Sequence, residues 1–175
     1  PIDNQKYSIM SYHTLDGMGA DGTFDALWAT GLQLYDIAAL QEIYGSRNYG
    51  TRSGSTDYSK STAFASTATN EAFIYTIWDG GGTDEIDASG YIDHVKIDLR
   101  QGEFSSIGKA VDISYAGERG TGLVDDNVAI AFHAVIENAT GTNDISKGDV
   151  LIGNDWKNEL LGLMGDDELY GDGLV

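Results

Sequence analysis

The sequence D-G-G-G-T-D at residues 79–84 is the stretch with the plainest capacity for chemistry. Three glycines between Asp79 and Asp84 let backbone carbonyls turn inward as additional hard oxygen ligands, beside the two carboxylates. A flexible, carbonyl-rich loop suits calcium, whereas magnesium demands stricter geometry and keeps its waters. The same loop could equally be a glycine turn that the two aspartates merely cap. The loop by itself leaves both interpretations open.

The end of the chain repeats a nine-residue pattern. Residues 153–161 and 162–170 are successive nonapeptides of the type G-G-x-G-x-D-x-U-x, and the same register extends backwards by one unit. The sixth positions are Asp149, Asn158 and Asp167, and the eighth positions are Leu151, Leu160 and Leu169. Such a repeat builds a parallel β-roll, in which the glycine-rich half offers carbonyls, the sixth residue points at calcium and the eighth fills the core.

The repeat predicts which residues share an ion. If one full turn of the roll uses two nonapeptides, Asp149 and Asp167 stack on the same side and bind calcium together with backbone oxygens such as that of Gly162. Asn158 then lies on the other side. A neutral Asn158, with Trp156 where the pattern has glycine, predicts a site there that is weaker or empty.

A helix precedes this calcium-binding region. Between residues 34 and 44, Ile37, Leu40 and Tyr44 recur at helical spacing beside polar residues, and Gly45 supplies the stop. The pattern predicts an amphipathic helix that packs by one face.

The surrounding segments are shorter. Thr23 is a candidate cap for a helical stretch at 24–28, and residues 73–78 and 94–99 are β-type runs. The change to a Ser-, Thr- and Gly-rich texture predicts a boundary near residues 46–50.

Composition limits the partners and the metal chemistry. Twenty-eight acidic against ten basic residues give a net charge of −18, which argues against nucleic acid and anionic membranes and in favour of cations. There is no cysteine, so oxygen or histidine must hold any metal. No apolar run is long enough to span a bilayer and no signal-peptide pattern opens the chain, which is the expectation for a mature form or a fragment.

Residues 8–12, S-I-M-S-Y, read alone as a turn leading into a helix. In order along the chain, however, five segments resemble the serralysin family, secreted bacterial zinc metallopeptidases of the metzincin type with an RTX calcium β-roll. The segments are S-I-M-S-Y at 8–12 for the Met-turn, Y-D-I-A-A-L-Q at 35–41 with Tyr44-Gly45 for the helix that closes the catalytic domain, T-R-S-G-S-T at 51–56 for the first calcium loop, and residues 78–84 and I-E-N-A at 136–139 for two further calcium-associated segments.

The resemblance implies a mostly β chain in two parts. Residues 1–48 would be the C-terminal end of a metzincin catalytic domain, made of the Met-turn and the closing helix. Residues 49–175 would form a calcium-binding parallel β-roll or β-helix, truncated at its C-terminus. The implied protein is secreted and extracellular, acts on proteins or peptides and leaves the cell through a type I secretion system.

The family's functional residues carry over by position. Met10 would lie beneath the zinc as a support, and Tyr12 would face the zinc as an additional ligand that swings to stabilise the oxyanion. The implied calcium ligands are Arg52, Gly54, Thr56, Asp79, Gly81, Gly82, Asp84 and Glu137. Arg52 would contribute its carbonyl, because a guanidinium cannot ligate calcium.

The defining H-E-x-x-H-x-x-G-x-x-H zinc motif is absent from this sequence. Its three histidines, His13, His94 and His133, do not have that spacing. This chain alone is therefore expected to be inactive, and its implied partner is the zinc-binding N-terminal half, in the same gene product or as a separate chain. The alternative is a non-catalytic calcium-binding RTX module for secretion or adhesion.

Overall fold

The computed structural model describes residues 3–12, 29, 31–45, 52–64, 73–108 and 126–171. The helical stretch predicted at 24–28, its cap Thr23, the boundary predicted at 46–50 and His13 lie outside the described residues. No helix within the described part of the chain is long and apolar enough to cross a membrane.

Helix α1 spans Leu34–Tyr44, which confirms the helix predicted from the periodicity. Its first turn is closed by Asp36, whose carboxylate accepts the backbone N–H of Gln33 at the N-cap at 2.9 Å. The helix stops at Gly45, whose φ of 93° is a left-handed conformation that glycine adopts without a Cβ clash.

The face by which α1 packs differs in part from the prediction. Leu34, Ile37 and Gln41 are buried, whereas Tyr44 is 82% exposed, so the assignment of Tyr44 to the packed face is wrong. Gln41 takes an inward position because its side-chain Nε2 donates a 2.7 Å hydrogen bond to the carbonyl of Phe132. The packed face therefore contains a satisfied amide at position 41, and the aromatic ring at position 44 lies outside that face.

The remaining elements of the described residues are ten short strands. They are β1 Asp57–Ser59, β2 Tyr75–Ile77, β3 Glu85–Asp87, β4 Lys96–Asp98, β5 Phe104–Ser105, β6 Val128–Ile130, β7 Asn138–Thr140, β8 Val150–Ile152, β9 Glu159–Leu161 and β10 Glu168–Tyr170. The β-type runs predicted at 73–78 and 94–99 contain β2 and β4, which confirms them as strands with shorter bounds.

Two parallel sheets form the body of the roll. The first sheet has the order β1-β3-β7-β9 and the second has the order β4-β8-β10, and every pairing in them is parallel. From β7 to β10 the chain alternates between the two sheets, which is the path of a parallel β-roll. A third sheet, β2-β6-β5, contains one antiparallel pair. The prediction of a mostly β chain with parallel sheets is confirmed.

The strand register gives the length of each turn. Val150 aligns with Glu168, 18 positions later, so one turn of the second sheet uses two nonapeptides, as predicted. In the first sheet Asn138 aligns with Glu159, 21 positions later. The three additional residues lie between β7 and β8, because β8 to β9 and β9 to β10 each return to the nine-residue spacing.

The inward side chains align into two columns. These are Tyr58, Ile86, Ala139 and Leu160 in the first sheet, and Ile97, Leu151 and Leu169 in the second. Leu151 is fully buried and Leu160 is half-buried against the core, but Leu169 is 48% exposed. The prediction that Leu169 fills the core is therefore wrong. Within the described residues β10 has a partner strand on one side only, which leaves Leu169 partly uncovered.

Candidate functional site

The turn at residues 8–12 is tied to the start of α1 by a single carboxylate. Asp36 Oδ1 accepts the hydroxyl of Ser8 at 2.6 Å, and its Oδ2 accepts the backbone N–H of Ile9 at 2.8 Å. Ser11 N–H closes the turn on the carbonyl of Ser8 at 3.1 Å. Asp36 therefore holds the turn and the first turn of the helix with the same side chain.

The residues just before the turn pack on both α1 and the third sheet. Tyr7 stacks on Tyr35 with ring centroids 5.3 Å apart and makes an edge contact with Phe104 at 5.4 Å. Lys6 Nζ lies 3.2 Å from a carboxylate oxygen of Asp126 and 4.8 Å from the centroid of the Phe104 ring. Aromatic contacts of this kind contribute about 0.5–1.5 kcal/mol each beyond their buried area. The turn is thus fixed against α1 and the third sheet.

Met10 and Tyr12 project from the turn at residues 8–12. Met10 is 78% exposed and Tyr12 is 97% exposed. The described residues therefore present both side chains to solvent, where another protein surface or a ligand can reach them.

A second group of polar residues lies where the strands of the first sheet begin. Thr56, Asp84, Glu137 and Asn158 each immediately precede a strand, and we call these four residues the strand-entry column. Thr56 N–H donates to Asp84 Oδ1 at 2.7 Å, and Asp84 N–H donates to Glu137 Oε2 at 2.8 Å. Asn158 Nδ2 donates to the carbonyl of Glu137 at 2.9 Å. The parallel pairing of the strands thus stacks these side chains one above another.

Asp84 is the electrostatic centre of the strand-entry column. It is fully buried, and its Oδ2 has no hydrogen-bond partner. The pKa of Asp84 is raised to about 6: burial is the largest cause, the Thr56 N–H acts against it, and the negative charges of Asp79 and Glu137 add to it. A buried carboxylate oxygen without a partner is costly, so this geometry favours a cation beside Oδ2.

Asp79 begins the loop at residues 79–84, and its carboxylate accepts hydrogen bonds from two donors. Its Oδ1 accepts the N–H of Gly81 at 2.8 Å, and its Oδ2 accepts the hydroxyl of the buried Tyr58 at 2.5 Å. Burial, followed by the hydrogen bond to Asp79, raises the pKa of Tyr58 well above its usual range, so the phenol stays protonated and donates. Asp79 therefore has a fixed orientation.

Close backbone contact joins residues 79–84 to residues 52–56. A Cβ added at Gly82 would lie 2.7 Å from the carbonyl carbon and oxygen of Gly54, and Gly82 has a φ of 153°, so the approach requires glycine. The Arg52 guanidinium donates to the Tyr75 hydroxyl at 2.9 Å and lies over the Tyr58 ring, 5.4 Å from its centroid. The Arg52 carbonyl accepts the N–H of Gly80 at 3.4 Å. The backbone of residues 52–54 therefore lies directly against the acidic loop.

The aspartates of the nonapeptides stack in the second sheet. Asp167 Oδ1 accepts the backbone N–H of Asp149, one turn earlier, at 2.8 Å. The buried Asp149 carboxylate accepts the N–H of Val95 at 2.8 Å and that of Thr142 at 2.6 Å. The predicted stacking of Asp149 with Asp167 is confirmed, and Asn158 lies in the other sheet as predicted.

Backbone oxygens converge beside the second aspartate. A Cβ added at Gly165 would lie 2.9 Å from the carbonyl oxygens of both Asp144 and Lys147, and 3.2 Å from Asp167 Oδ1. A Cβ at Gly162 would lie 2.3 Å from Asp167 Oδ2. Glycine thus leaves room at a point surrounded by hard oxygen atoms, which is the donor set that calcium prefers.

The described residues contain no group of three histidine, cysteine, aspartate or glutamate side chains arranged to hold a metal. A cation at either of these places must therefore take part of its ligands from backbone carbonyls. Calcium accepts six to eight oxygen ligands of this mixed kind at about 2.3–2.6 Å, whereas structural zinc is held by four side chains. The oxygen sets fit calcium.

Residues 44–169 match the family model described as Peptidase M10 serralysin C terminal. The chain belongs to the serralysin family. It is 38% identical over 155 residues to Serralysin B of Dickeya chrysanthemi, with 86% of this chain and 28% of that protein covered. It is 37% identical over 168 residues to Metalloprotease AprA of Pseudomonas entomophila (90% and 30% covered) and 36% identical over 163 residues to Serralysin of Proteus mirabilis (90% and 29%). This serralysin C-terminal portion spans less than a third of the length of these relatives.

Most predicted calcium ligands of this serralysin portion fall into two groups. The first group gathers around Asp84 and consists of Arg52, Gly54, Thr56, Asp79, Gly81, Gly82, Asp84 and Glu137. The second consists of Asp149, Gly162 and Asp167. Asn158 lies in the same column as Asp84, but its side-chain amide donates to a carbonyl.

Two further residues, Asp36 and Tyr58, orient these groups and are not predicted from the sequence. Asp36 orients the turn at 8–12, and its signal was an acidic residue three positions after the helix N-cap. Tyr58 orients Asp79 from a strand of the first sheet, 21 positions earlier in the chain. No local pattern marks a contact of that kind.

Replacing Asp36 by alanine is expected to loosen the turn at 8–12 and to cost about 1–3 kcal/mol of stability. The change removes one helix cap and two hydrogen bonds to the turn, at Ser8 and Ile9. Hydrogen exchange of the Ile9 amide and urea denaturation measure the two effects. Glu42→Ala is the matched control, because Glu42 is an exposed carboxylate on the same helix. Equal effects of the two substitutions would contradict this role.

The raised pKa of Asp84 predicts how stability depends on pH without calcium. Its folded pKa of about 6 lies above the ordinary value of 3.8, so the folded state holds the proton more tightly. This contribution to stability is fully present below about 3.8 and is lost as the pH rises through about 6. In calcium-depleted buffer, Asp84→Asn should therefore gain stability relative to the unsubstituted chain between pH 5 and 7.5, as measured by urea denaturation. A constant difference across that range would contradict the assignment.

Proposed function

We propose that this chain is the C-terminal part of a secreted serralysin-like zinc metalloendopeptidase, and that it binds several calcium ions. The buried Asp84 oxygen without a partner, inside a parallel roll of the serralysin family, is the observation that carries the calcium half of the proposal. One ion would lie beside Asp84 and a second beside Asp167. In both places carbonyl oxygens accompany the carboxylates, as calcium requires.

Calcium in these places would act through folding. The chain has a net charge of −18 and therefore repels itself at low calcium. An ion that binds only the folded roll adds its binding free energy to stability. The calcium-dependent turns of the roll would stay loose in a cytosol poor in calcium, which suits passage through a type I secretion system, and would fold in the extracellular medium.

The turn at 8–12 would contribute to peptide hydrolysis. Tyr12 would place its hydroxyl near the carbonyl oxygen of the scissile peptide and donate a hydrogen bond as negative charge develops there. Met10 would support the floor of the site from the same turn, and Asp36 holds that turn in place. The exposed phenol of Tyr12 is an accessible oxygen donor that suits this task.

Zinc would supply Lewis-acid polarisation of the peptide carbonyl. Two residues of this chain would face the zinc. Tyr12 would be an additional ligand, and Met10 would be a support. The histidine ligands and the general base would come from the zinc-binding N-terminal half, in the same gene product or as a separate chain, because this sequence has no H-E-x-x-H motif. Proteins or peptides would be the substrates.

A second function is favoured by that missing motif. The chain would then be a non-catalytic calcium-binding RTX module for secretion or adhesion, with the turn at 8–12 retained without a zinc to face. The calcium proposal is common to both functions.

The intact mass and the zinc content of the native gene product distinguish the two. The peptidase proposal predicts an H-E-x-x-H motif and one bound zinc ion, either in a gene product much larger than 18.8 kDa or in a second chain that copurifies with it. A gene product without that motif, without such a partner chain and without zinc would contradict it and leave the calcium-binding module.

A further inference from the structure

Asn154 and Asn158 form a pair of side-chain amides between β8 and β9, which we call the amide clasp. Asn158 Nδ2 donates to the carbonyl of Glu137 at 2.9 Å and to Asn154 Oδ1 at 2.9 Å. Asn158 Oδ1 accepts the backbone N–H of Asn154 at 2.8 Å. Both hydrogens and the oxygen of the Asn158 amide are therefore engaged.

The second amide of the clasp reaches two other turns of the chain. Asn154 Nδ2 donates to the carbonyl of Leu99 at 3.0 Å and to that of Ile136 at 2.9 Å. Asn154 Oδ1 also accepts the N–H of Trp156 at 3.0 Å. Neither amide can be reversed, because reversal would place an oxygen against carbonyl oxygens. The clasp thus ties the segment before β9 to the ends of neighbouring turns with neutral hydrogen bonds only.

The clasp occupies a position equivalent to that of the proposed calcium ligands. Asn158 immediately precedes β9, just as Asp84, Asp149 and Asp167 precede their strands. Around Asp84 a buried oxygen lacks a partner, whereas around Asn158 an NH₂ group gathers the oxygens of Glu137 and Asn154. The side-chain NH₂ group of Asn158 donates a hydrogen bond to each of these two oxygens. In a calcium site a cation would hold such oxygens together instead.

We propose that the amide clasp is a calcium-independent lock, so that the roll contains one junction that closes without metal and one that needs it. The β7–β9 junction holds through Asn158, and the β8–β10 junction holds through Asp149 and Asp167 with calcium. This inference rests on the proposed calcium function and deepens it by stating which turn of the roll is formed before calcium binds.

The clasp also accounts for Trp156. The repeat has glycine at this position, where the backbone must turn its carbonyls toward an ion. No ion is needed beside Asn158, so the position is free of that requirement. The Trp156 N–H donates to Asn154 Oδ1, and the Trp156 side chain is 64% exposed.

Hydrogen exchange of the whole chain with and without calcium tests the lock. In calcium-depleted buffer the amides of β9 are expected to remain protected, while those of β10 exchange at least about tenfold faster than in calcium. Asn158→Asp should remove protection of β9 in depleted buffer, because a carboxylate cannot donate to the two oxygens. Added calcium should restore the protection of β9 in the Asn158→Asp chain. In the Asn158→Ala chain the β9 amides should stay unprotected in both buffers. Asn143→Asp, at an exposed asparagine, is the control for the added charge.

Two results would overturn the lock. One is loss of β9 protection together with β10 when calcium is removed from the unsubstituted chain, including through complete unfolding. The other is an Asn158→Asp chain that keeps β9 as protected in depleted buffer as the Asn143→Asp control does. Failure of the calcium proposal is distinguishable, since β10 would then exchange at the same rate in both buffers while Asn158→Ala still exposes β9.

Discussion

Gly148→Ala is expected to lower the stability of the roll by about 3 kcal/mol. The substitution should detach β10 or prevent the last turn from forming. A Cβ at Gly148 would lie 1.8 Å from the carbonyl oxygen of Asp166 and 2.4 Å from its carbonyl carbon. Both are backbone atoms of the adjoining turn, so no side chain can move aside. Overpacking of a fixed contact usually costs about 1–3 kcal/mol, and this contact lies at the severe end.

Urea denaturation and exchange of the β10 amides measure this loss. Gly90→Ala is the matched control, because its added Cβ would make only an ordinary contact, 3.6 Å from the Cβ of Lys60. The roll geometry predicts a large loss for Gly148→Ala and almost none for Gly90→Ala. A Gly148→Ala chain as stable as the control would contradict the stacking of the turns.

Asp167→Ala is expected to weaken calcium binding by at least about tenfold and to remove much of the stabilisation that calcium gives. Asp167 Oδ1 lies next to the space lined by the carbonyls of Asp144 and Lys147 and also accepts the N–H of Asp149. Ligand charge sets affinity in oxygen sites, and each tenfold loss corresponds to about 1.4 kcal/mol. The substitution removes one ligand charge and one hydrogen bond at once.

Calorimetric titration with calcium measures the affinity. Asp166→Ala is the control, since Asp166 is an exposed carboxylate at the adjacent position. Asn158→Ala should lower calcium affinity less than Asp167→Ala does, because Asn158 donates to a carbonyl. Equal losses for Asp167→Ala and Asn158→Ala would contradict the division of the roll into an aspartate side and an amide side.

The sequence predicted elements that are specified locally. The bounds of α1 followed from the apolar spacing and from Gly45, whose φ of 93° suits glycine. The nonapeptide period predicted that Asp149 and Asp167 stack, because repeats of equal length bring equivalent residues into line. The three additional residues between β7 and β8 leave this alignment intact, since they lie outside the strands.

Contacts between distant segments were not predictable in the same way. The role of Asp36 depends on a turn 27 residues away, and the amide clasp depends on carbonyls before and after other strands. Burial also depends on neighbours rather than on the pattern. Tyr44 lies at an apolar position of the helical pattern, and Leu169 lies at an apolar position of the nonapeptide. Neither is covered by another element among the described residues.

We expect calcium to drive the folding of this serralysin-family roll. Circular dichroism of the chain, recorded in a chelator and then along a calcium titration with thermal melts, measures this effect. Calcium should increase the β signal and raise the thermal midpoint, with about 2.7 kcal/mol of added stability per ion when free calcium is 100 times Kd. An unchanged spectrum and an unchanged midpoint with and without chelator would contradict it.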